Sequence, residues 1–210
     1  MTIKEKMLLE NKAWVMEQLS LDHRYFDHLS KKPKPSILWI GSVDNLISIR
    51  EVTNTEPGEI LVHRNMASQV RADDVSLMAT VEYAVETAAV EYIIICGYSH
   101  CSGIREVVQG QGLDEKVHLN RWLEDLIQLY DNHTAEFNSL PINEKEKLLC
   151  ELNIRAQILK LSKLDIIQNA WERGNYPTLL GWYFDLNGGY IKEIFSMTQD
   201  KSLIQVARLV

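Results

Sequence analysis

Apolar residues in the first thirty positions recur at the spacing of amphipathic helices, with an interruption near Leu21 and Asp22. Pro33 and Pro35 then end any helix, because proline lacks a backbone donor and pushes its predecessor toward extended conformations. We therefore expect a helical arm over residues 1–35. The apolar positions that define it are Met7, Leu8, Trp14, Val15, Leu19, Tyr25, Phe26 and Leu29.

Short apolar runs alternate with helical patterns through the rest of the chain. Strands are expected at residues 36–41, 59–65, 90–96, 177–182 and 190–196. Helices are expected at residues 76–89, from about residue 104, and through much of residues 119–172. This alternation predicts one α/β domain over residues 36–210, with a mainly parallel β-sheet flanked by helices.

Two loops of this predicted sheet are the expected place for chemistry. Ligands of open parallel sheets lie beyond the carboxyl ends of the strands, so residues 41–46 and 97–103 should flank one pocket.

Composition and charge narrow the class of protein. Hydrophobic residues make up 46% of the 210 positions and charged residues 24%, which is typical of a folded domain. The formal charge of −7 favours neither nucleic acid nor an anionic membrane as a partner. We see neither a secretory signal nor an apolar run of the roughly 20 residues that a membrane span needs. With three cysteines, an odd number, the expectation is a cytoplasmic protein with free thiols.

The two loops contain residues that can ligate a metal or react. Asp44 lies in the first loop, and His100 and Cys101 lie in the second, although adjacent ligands are awkward for a single zinc ion. Cys101 stands where a helix should begin, and the helix dipole would favour its thiolate. Two simpler interpretations stay open: Cys101 is an inert packed thiol, and His100 faces solvent.

At this point the chain resembles a known family, the β-class carbonic anhydrases, especially the bacterial type with regulated active sites. The similarity extends over nearly the whole chain. It implies the family's mainly parallel sheet and an N-terminal arm that lies across a partner, so the chain should form a homodimer or a dimer of dimers. The matching segments are residues 11–14, 38–41, 56–59, 62–65, 93–97, 150–153 and 181–182.

The resemblance breaks down at the zinc-binding motifs. The family has Cys-x-Asp-Ser-Arg after its first strand, whereas residues 42–46 read Ser-Val-Asp-Asn-Leu. The family's second motif is His-x-x-Cys, whereas residues 98–101 read Tyr-Ser-His-Cys.

The resemblance therefore places Ser42, Tyr98 and Cys101 at the three zinc-ligand positions, and Asp44 at the position of the carboxylate that binds zinc in the family's closed state. Serine and tyrosine hydroxyls are poor zinc ligands, because their pKa values lie far above those of thiol and imidazole. We expect no zinc cofactor, unless Asp44, Cys101 and His100 form a substituted site. Without zinc, fast hydration of carbon dioxide is not expected.

A second anion pocket is also implied by the resemblance. Regulated members bind a bicarbonate against a tryptophan, an arginine and a tyrosine, and the matching positions are Trp39, Arg64 and Phe184. Arg64 and the Trp39 indole N–H retain donors suited to a small anion such as bicarbonate. Alternatively, Trp39 belongs to the core and Arg64 pairs with a carboxylate such as Glu59.

Three hypotheses for function follow. In the first, the chain is a zinc-free relative of the carbonic anhydrases that has lost carbon dioxide hydration and has a binding, regulatory or repurposed role. In the second, a different reaction uses Cys101 as nucleophile, with Asp44 or His100 accepting its proton. In the third, the substituted ligands Asp44, Cys101 and His100 hold a metal and support hydratase or related lyase activity.

Overall fold

The computed structural model describes residues 1–31, 34–46, 48–110, 115–174, 176–200 and 202–209. The chain divides into two compact units, Met1–Lys34 and Pro35–Val210. Pro33, which the sequence predicts to end the arm, lies outside the described residues.

The first unit contains two helices, α1 (Ile3–Leu21) and α2 (Tyr25–Ser30). Thr2 caps α1, since its hydroxyl accepts a hydrogen bond from the Glu5 backbone while the Glu5 carboxylate accepts one from the Thr2 backbone. Trp14 packs edge-on against Tyr25 and Phe26, at ring-centroid distances of 6.1 and 5.8 Å. The predicted interruption near Asp22 is confirmed, because Asp22 is the C-cap of α1.

The second unit contains six strands and eight α-helices among its described residues. The strands are β1 (Ile37–Ser42), β2 (Ile60–Asn65), β3 (Tyr92–Tyr98), β4 (Thr178–Asp185), β5 (Tyr190–Met197) and β6 (Leu203–Gln205). The helices are α3 (Ile49–Thr53), α4 (Val75–Glu82), α5 (Ser102–Gln109), α6 (Val117–Trp122), α7 (Glu124–Asn132), α8 (Thr134–Phe137), α9 (Ile142–Ser162) and α10 (Asp165–Glu172).

The strands form one sheet in the order β2-β1-β3-β4-β5-β6. The first four strands in this order are parallel, and β5 and β6 are antiparallel to their neighbours. The predicted α/β architecture with a mainly parallel sheet is thus confirmed. Within the described residues, no helix is both long and apolar enough to span a membrane.

Helix α9 packs directly against the centre of the sheet, and two glycines allow this close approach. A Cβ atom at Gly97 would lie 2.5 Å from Cys150 Sγ, and one at Gly181 would lie 2.7 Å from Ile154 Cγ2. Because real Cβ atoms essentially never come that close, only glycine fits under the helix at these positions.

Several element boundaries differ from the sequence prediction, and β4, for example, extends to Asp185. Strand β3 continues through Gly97 to Tyr98, so Tyr98 belongs to the strand and not to the following loop. The predicted helix over residues 76–89 consists of α4 followed by a π-helical turn, Tyr83–Ala88. Hydrophobic spacing does not distinguish this wider turn from a regular helix.

Candidate functional site

The carboxyl ends of β1 and β3 lie side by side at the point where the strand order reverses. The chain leaves β1 for β2 on one side of the sheet, and it leaves β3 for β4 on the other. Parallel sheets bind ligands at such a switch point. The residues singled out in the two loops therefore share the edge of the sheet where a site is expected.

Ser42, the last residue of β1, is buried and links three groups by hydrogen bonds. Its hydroxyl donates to Asp44 Oδ1 and accepts from the Ala67 backbone N–H at 3.0 Å. The Cys101 thiol lies 3.7 Å from the same oxygen, in position to donate to it. The hydrogen-bonding capacity of this hydroxyl is used within the protein.

Asp44 is the acceptor at the centre of the cluster. Its Oδ2 accepts the backbone N–H of Ser102 at 2.7 Å, and Tyr98 is a further hydrogen-bond partner of its carboxylate. Burial raises the pKa of Asp44, but the hydrogen bonds from Ser102, Ser42 and Tyr98 together outweigh it, and the net pKa is below the ordinary value. Asp44 is therefore an ionised carboxylate at neutral pH.

Cys101 is the N-cap residue of α5, as the sequence predicts, but its side chain is only 4% exposed. Burial, followed by the charge of Asp44, raises the pKa of the thiol to about 11, and hydrogen bonds from the backbone of Ile104 and Gly103 only partly oppose this. The expectation of a thiolate favoured by the helix terminus is thus wrong, because burial dominates. At neutral pH Cys101 is a thiol.

Tyr98 directs its phenol to the same carboxylate. Its side chain is buried, and burial, followed by the nearby Cys101 and Asp44, raises its pKa. The phenol therefore stays protonated and serves as a donor to Asp44. Ser42, Asp44, Tyr98 and Cys101 form one hydrogen-bonded group, which we call the Asp44 cluster.

His100 does not join the Asp44 cluster. Its backbone has a φ of 65°, an uncommon value for histidine, and its Nδ1 lies 3.3 Å from Arg105 Nη2 and 4.0 Å from Glu146 Oε2. Over the described ranges, no three His, Cys, Asp or Glu side chains form a group suited to holding a metal ion. The substituted ligand set of Asp44, His100 and Cys101 is therefore not assembled in this structure.

The three residues of the expected anion pocket lie on the same face of the sheet. Trp39 is buried and packs edge-on against Trp182 at 5.6 Å, and Phe184 is also buried. Arg64 donates through Nη1 to the Ser42 carbonyl at 2.9 Å. The interpretation of Trp39 as a core residue agrees with its burial, and anion binding by this group stays a prediction.

The sequence reasoning missed several groups that shape this edge of the sheet. The backbone N–H groups of Ala67 and Ser102 complete the Asp44 cluster, and Arg105 and Glu146 engage His100. Backbone donors leave no mark in a sequence pattern. Glu146 comes from α9, and no spacing within the second loop points to it.

Comparison with known proteins agrees with this architecture. A family profile described as carbonic anhydrase matches residues 37–191. A carbonic anhydrase of Emericella nidulans is 30% identical over 191 residues, which cover 90% of this chain and 82% of the relative. The chain belongs to the β-carbonic anhydrase family.

Solved β-carbonic anhydrases have the same fold. One from Aspergillus fumigatus superimposes with a TM-score of 0.83 at 28% identity, covering 91% of this chain and 90% of that one. One of the structures from Sordaria macrospora, described as tetrameric, has a TM-score of 0.81 at 31% identity and covers 90% of this chain and 95% of that one. The family relationship therefore extends over the sheet, its helices and most of the chain.

Proposed function

We propose that this β-carbonic anhydrase family member has exchanged the catalytic zinc site for the Asp44 cluster and no longer hydrates carbon dioxide. It keeps the fold as a binding, regulatory or repurposed protein. One observation carries the proposal. Asp44 and the residues at the proposed zinc-ligand positions Ser42, Tyr98 and Cys101 form hydrogen bonds with one another and with neighbouring backbone groups.

The donor chemistry of these residues does not fit zinc. A zinc ion takes thiolate, neutral imidazole or carboxylate ligands, whereas two of the four side chains of this cluster, Ser42 and Tyr98, offer only hydroxyls. The carboxylate already accepts hydrogen bonds from Ser42, Ser102 and Tyr98. A metal would have to displace these bonds and deprotonate Cys101.

Hydration of carbon dioxide at neutral pH depends on lowering the pKa of a water molecule from 15.7 to about 7, which zinc does in the active members of this family. The Asp44 cluster has no equivalent group, because its hydroxyls and thiol are protonated and its one anion is fully engaged. We therefore propose that it has a structural role in place of hydration.

Self-association is part of the proposal. The β-carbonic anhydrase from Sordaria macrospora is described as tetrameric. We propose that this chain likewise pairs with itself, as a homodimer or a dimer of dimers, with the arm contributing to the contact. Binding of bicarbonate or another small anion near Trp39, Arg64 and Phe184 is retained as a proposed ligand interaction.

The proposal is tested by the rate of carbon dioxide hydration, measured by stopped flow with a pH indicator in the presence of added zinc. The Aspergillus fumigatus relative serves as the reference protein. We expect no acceleration over the buffer rate. A rate that rises in proportion to protein concentration and disappears with a zinc chelator would establish a substituted metal site instead.

A further inference from the structure

The turn between β4 and β5 brings together two groups that can react with each other. Residues 186–189 connect Asp185, the last residue of β4, to Tyr190, the first residue of β5. Asn187 is followed by Gly188, and no other asparagine of the sequence precedes a glycine. The backbone nitrogen of the next residue can attack an asparagine amide, and glycine hinders this attack least because it has no side chain.

Both groups are accessible in the folded chain. Asn187, Gly188 and Gly189 are exposed, and within the described residues the N–H of Gly188 donates no hydrogen bond. A Cβ atom at Gly188 would lie 3.1 Å from Cδ2 of Tyr190, so a side chain at this position would crowd the turn. Solvent therefore reaches the backbone nitrogen that has to lose its proton before it attacks.

Asp185 restrains the side chain of Asn187. Its Oδ1 accepts hydrogen bonds from the Asn187 backbone N–H at 3.0 Å and from Asn187 Nδ2 at 3.3 Å. These bonds draw the amide toward the preceding part of the turn, whereas the reaction requires the amide carbon to approach Gly188, which follows. Asp185 should therefore slow the reaction relative to an unrestrained chain.

We propose that Asn187 is a site of spontaneous deamidation, and that its hydrogen bonds to Asp185 limit the rate. Hydroxide removes the Gly188 N–H proton, the nitrogen forms a bond to Asn187 Cγ, and Nδ2 takes a proton from water and leaves as ammonia. Water then opens the resulting succinimide at either of its two carbonyl carbons, which gives aspartate or isoaspartate. The reaction consumes one water molecule per chain and involves no oxidation or reduction.

The product should loosen the turn. A carboxylate at position 187 no longer donates to Asp185 Oδ1, and the two negative charges repel each other. An isoaspartate also adds a methylene group to the main chain, which lengthens a turn whose length sets the pairing of two antiparallel strands. This inference goes beyond the proposed function and does not depend on whether the protein holds zinc.

The test is incubation of the folded full-length protein at mildly alkaline pH, followed by peptide mapping with mass spectrometry. Asn187 should gain the mass difference between an amide and an acid, as both aspartate and isoaspartate, and faster at higher pH. The exposed Asn138, which precedes a serine, is the internal reference and should react later. No mass gain at Asn187, aspartate as the sole product, or earlier reaction of Asn138 would each overturn the proposal.

Two positions of the turn test what controls the rate. Gly188→Ala should slow deamidation several-fold, because the methyl group hinders the attacking nitrogen. Asp185→Ala should accelerate it several-fold, because the amide of Asn187 is released. Asp185→Asn is the matched control, since it keeps an acceptor oxygen, and it should react at nearly the wild-type rate. Circular dichroism confirms that each variant is folded.

The role of Asp185 would be overturned if Asp185→Ala reacted at the wild-type rate, or if Asp185→Asn reacted as fast as Asp185→Ala. The structural consequence has its own test in Asn187→Asp, which reproduces one of the two products. This variant should unfold at a lower urea concentration than both the wild type and the neutral Asn187→Ser. Equal midpoints for Asn187→Asp and Asn187→Ser would show that charge repulsion does not loosen the turn.

Discussion

Asp44 is held by donors from three separate parts of the chain. Ser42 reaches it from the end of β1, Tyr98 from the end of β3 and the Ser102 N–H from the start of α5. These hydrogen bonds favour the ionised form of Asp44. The pKa of Asp44 therefore depends on the positions of donors from both loops. Changes at Asp44 should therefore affect the stability of the fold.

Stability at low pH should depend on Asp44. The pKa of its carboxyl is lowered by folding, so its contribution is present above the unfolded pKa of about 3.9 and is lost as pH falls through the lower folded value. Asp44→Asn should unfold more easily at pH 7, by at least about 1 kcal/mol, and its stability should fall less between pH 5 and pH 3.

Urea unfolding at several pH values measures this effect. Asp131→Asn is the matched control, because Asp131 is an exposed helical residue outside the cluster. If Asp44→Asn and the wild type lost stability in parallel between pH 5 and pH 3, the hydrogen bonds to Asp44 would not act on its ionised form.

Cys101 should be the first of the three cysteines to react with an alkylating agent, although slowly. Its thiol pKa is raised to about 11, whereas burial raises that of Cys96 further and raises that of Cys150 well above the ordinary value. Because the thiolate is the nucleophile, labelling of Cys101 should increase about tenfold per pH unit between pH 7 and pH 10. Mass-spectrometric mapping of limited alkylation measures it, and earlier labelling of Cys96 or Cys150 would contradict the order.

The residues of the Asp44 cluster could be singled out from the sequence, because they lie at or just after the ends of two neighbouring strands. The interpretation that His100 faces solvent agrees with its exposed side chain, but the groups that it contacts could not be predicted. Its direction depends on a positive backbone φ and on Glu146, which lies in a helix that starts about forty residues later. The raised pKa of the Cys101 thiol could not be predicted either, because it results mainly from burial and not from the position of Cys101 at the start of a helix.

At the level of elements, the contact between α9 and the sheet explains both a success and an error of the sequence prediction. The apolar run of β3 predicts the strand, and the glycine at position 97 predicts its end. In the folded chain Gly97 continues the strand because α9 needs its missing side chain. A single sequence does not distinguish a glycine that ends a strand from a glycine that makes room for a packed helix.

Gly181→Ala should therefore destabilise the protein by about 1–3 kcal/mol, because the new methyl group would overlap Ile154 and Ile158 of α9. Thermal or urea unfolding measures the change. Gly188→Ala, in the turn between β4 and β5 with a Tyr190 ring carbon at 3.1 Å, is the control and should cost less. An equal loss in both variants would argue against close packing of α9 on β4.

For the whole molecule, the exposed apolar side chains of the first unit support the proposed self-association. Helix α1 has no buried residue, although it carries apolar side chains such as Leu8, Leu9 and Met16. Exposed apolar surface of this kind is usually covered by a partner. The pattern of apolar positions predicted the helices of this unit, but a single chain contains no direct information on what covers them.

Light scattering at micromolar concentration should give two or four times the chain mass of 24.2 kDa. Leu8→Glu should shift the distribution toward the single chain, because it places a charge on the apolar surface, whereas Lys4→Glu in the same helix should not. A wild-type protein that is monomeric while its arm remains helical would contradict the proposed association.

The double variant Ser42→Cys/Tyr98→His provides a reference for the metal content of the wild type. It would supply two thiols and an imidazole with Cys101, which is a zinc-binding donor set. We expect it to recover zinc more readily than hydratase activity, because Leu46 still stands where the family has an arginine. Failure of this variant to bind zinc would place the assignment of Ser42 and Tyr98 in doubt.

The most direct test of the zinc-free site is the zinc content of the wild-type protein, purified without chelator from zinc-supplemented cells and measured by mass spectrometry of the metals. The donor chemistry of the Asp44 cluster predicts less than about one tenth of a zinc ion per chain, against nearly one in the double variant. A wild-type content near one zinc ion per chain, lost on alkylation of Cys101, would contradict the account.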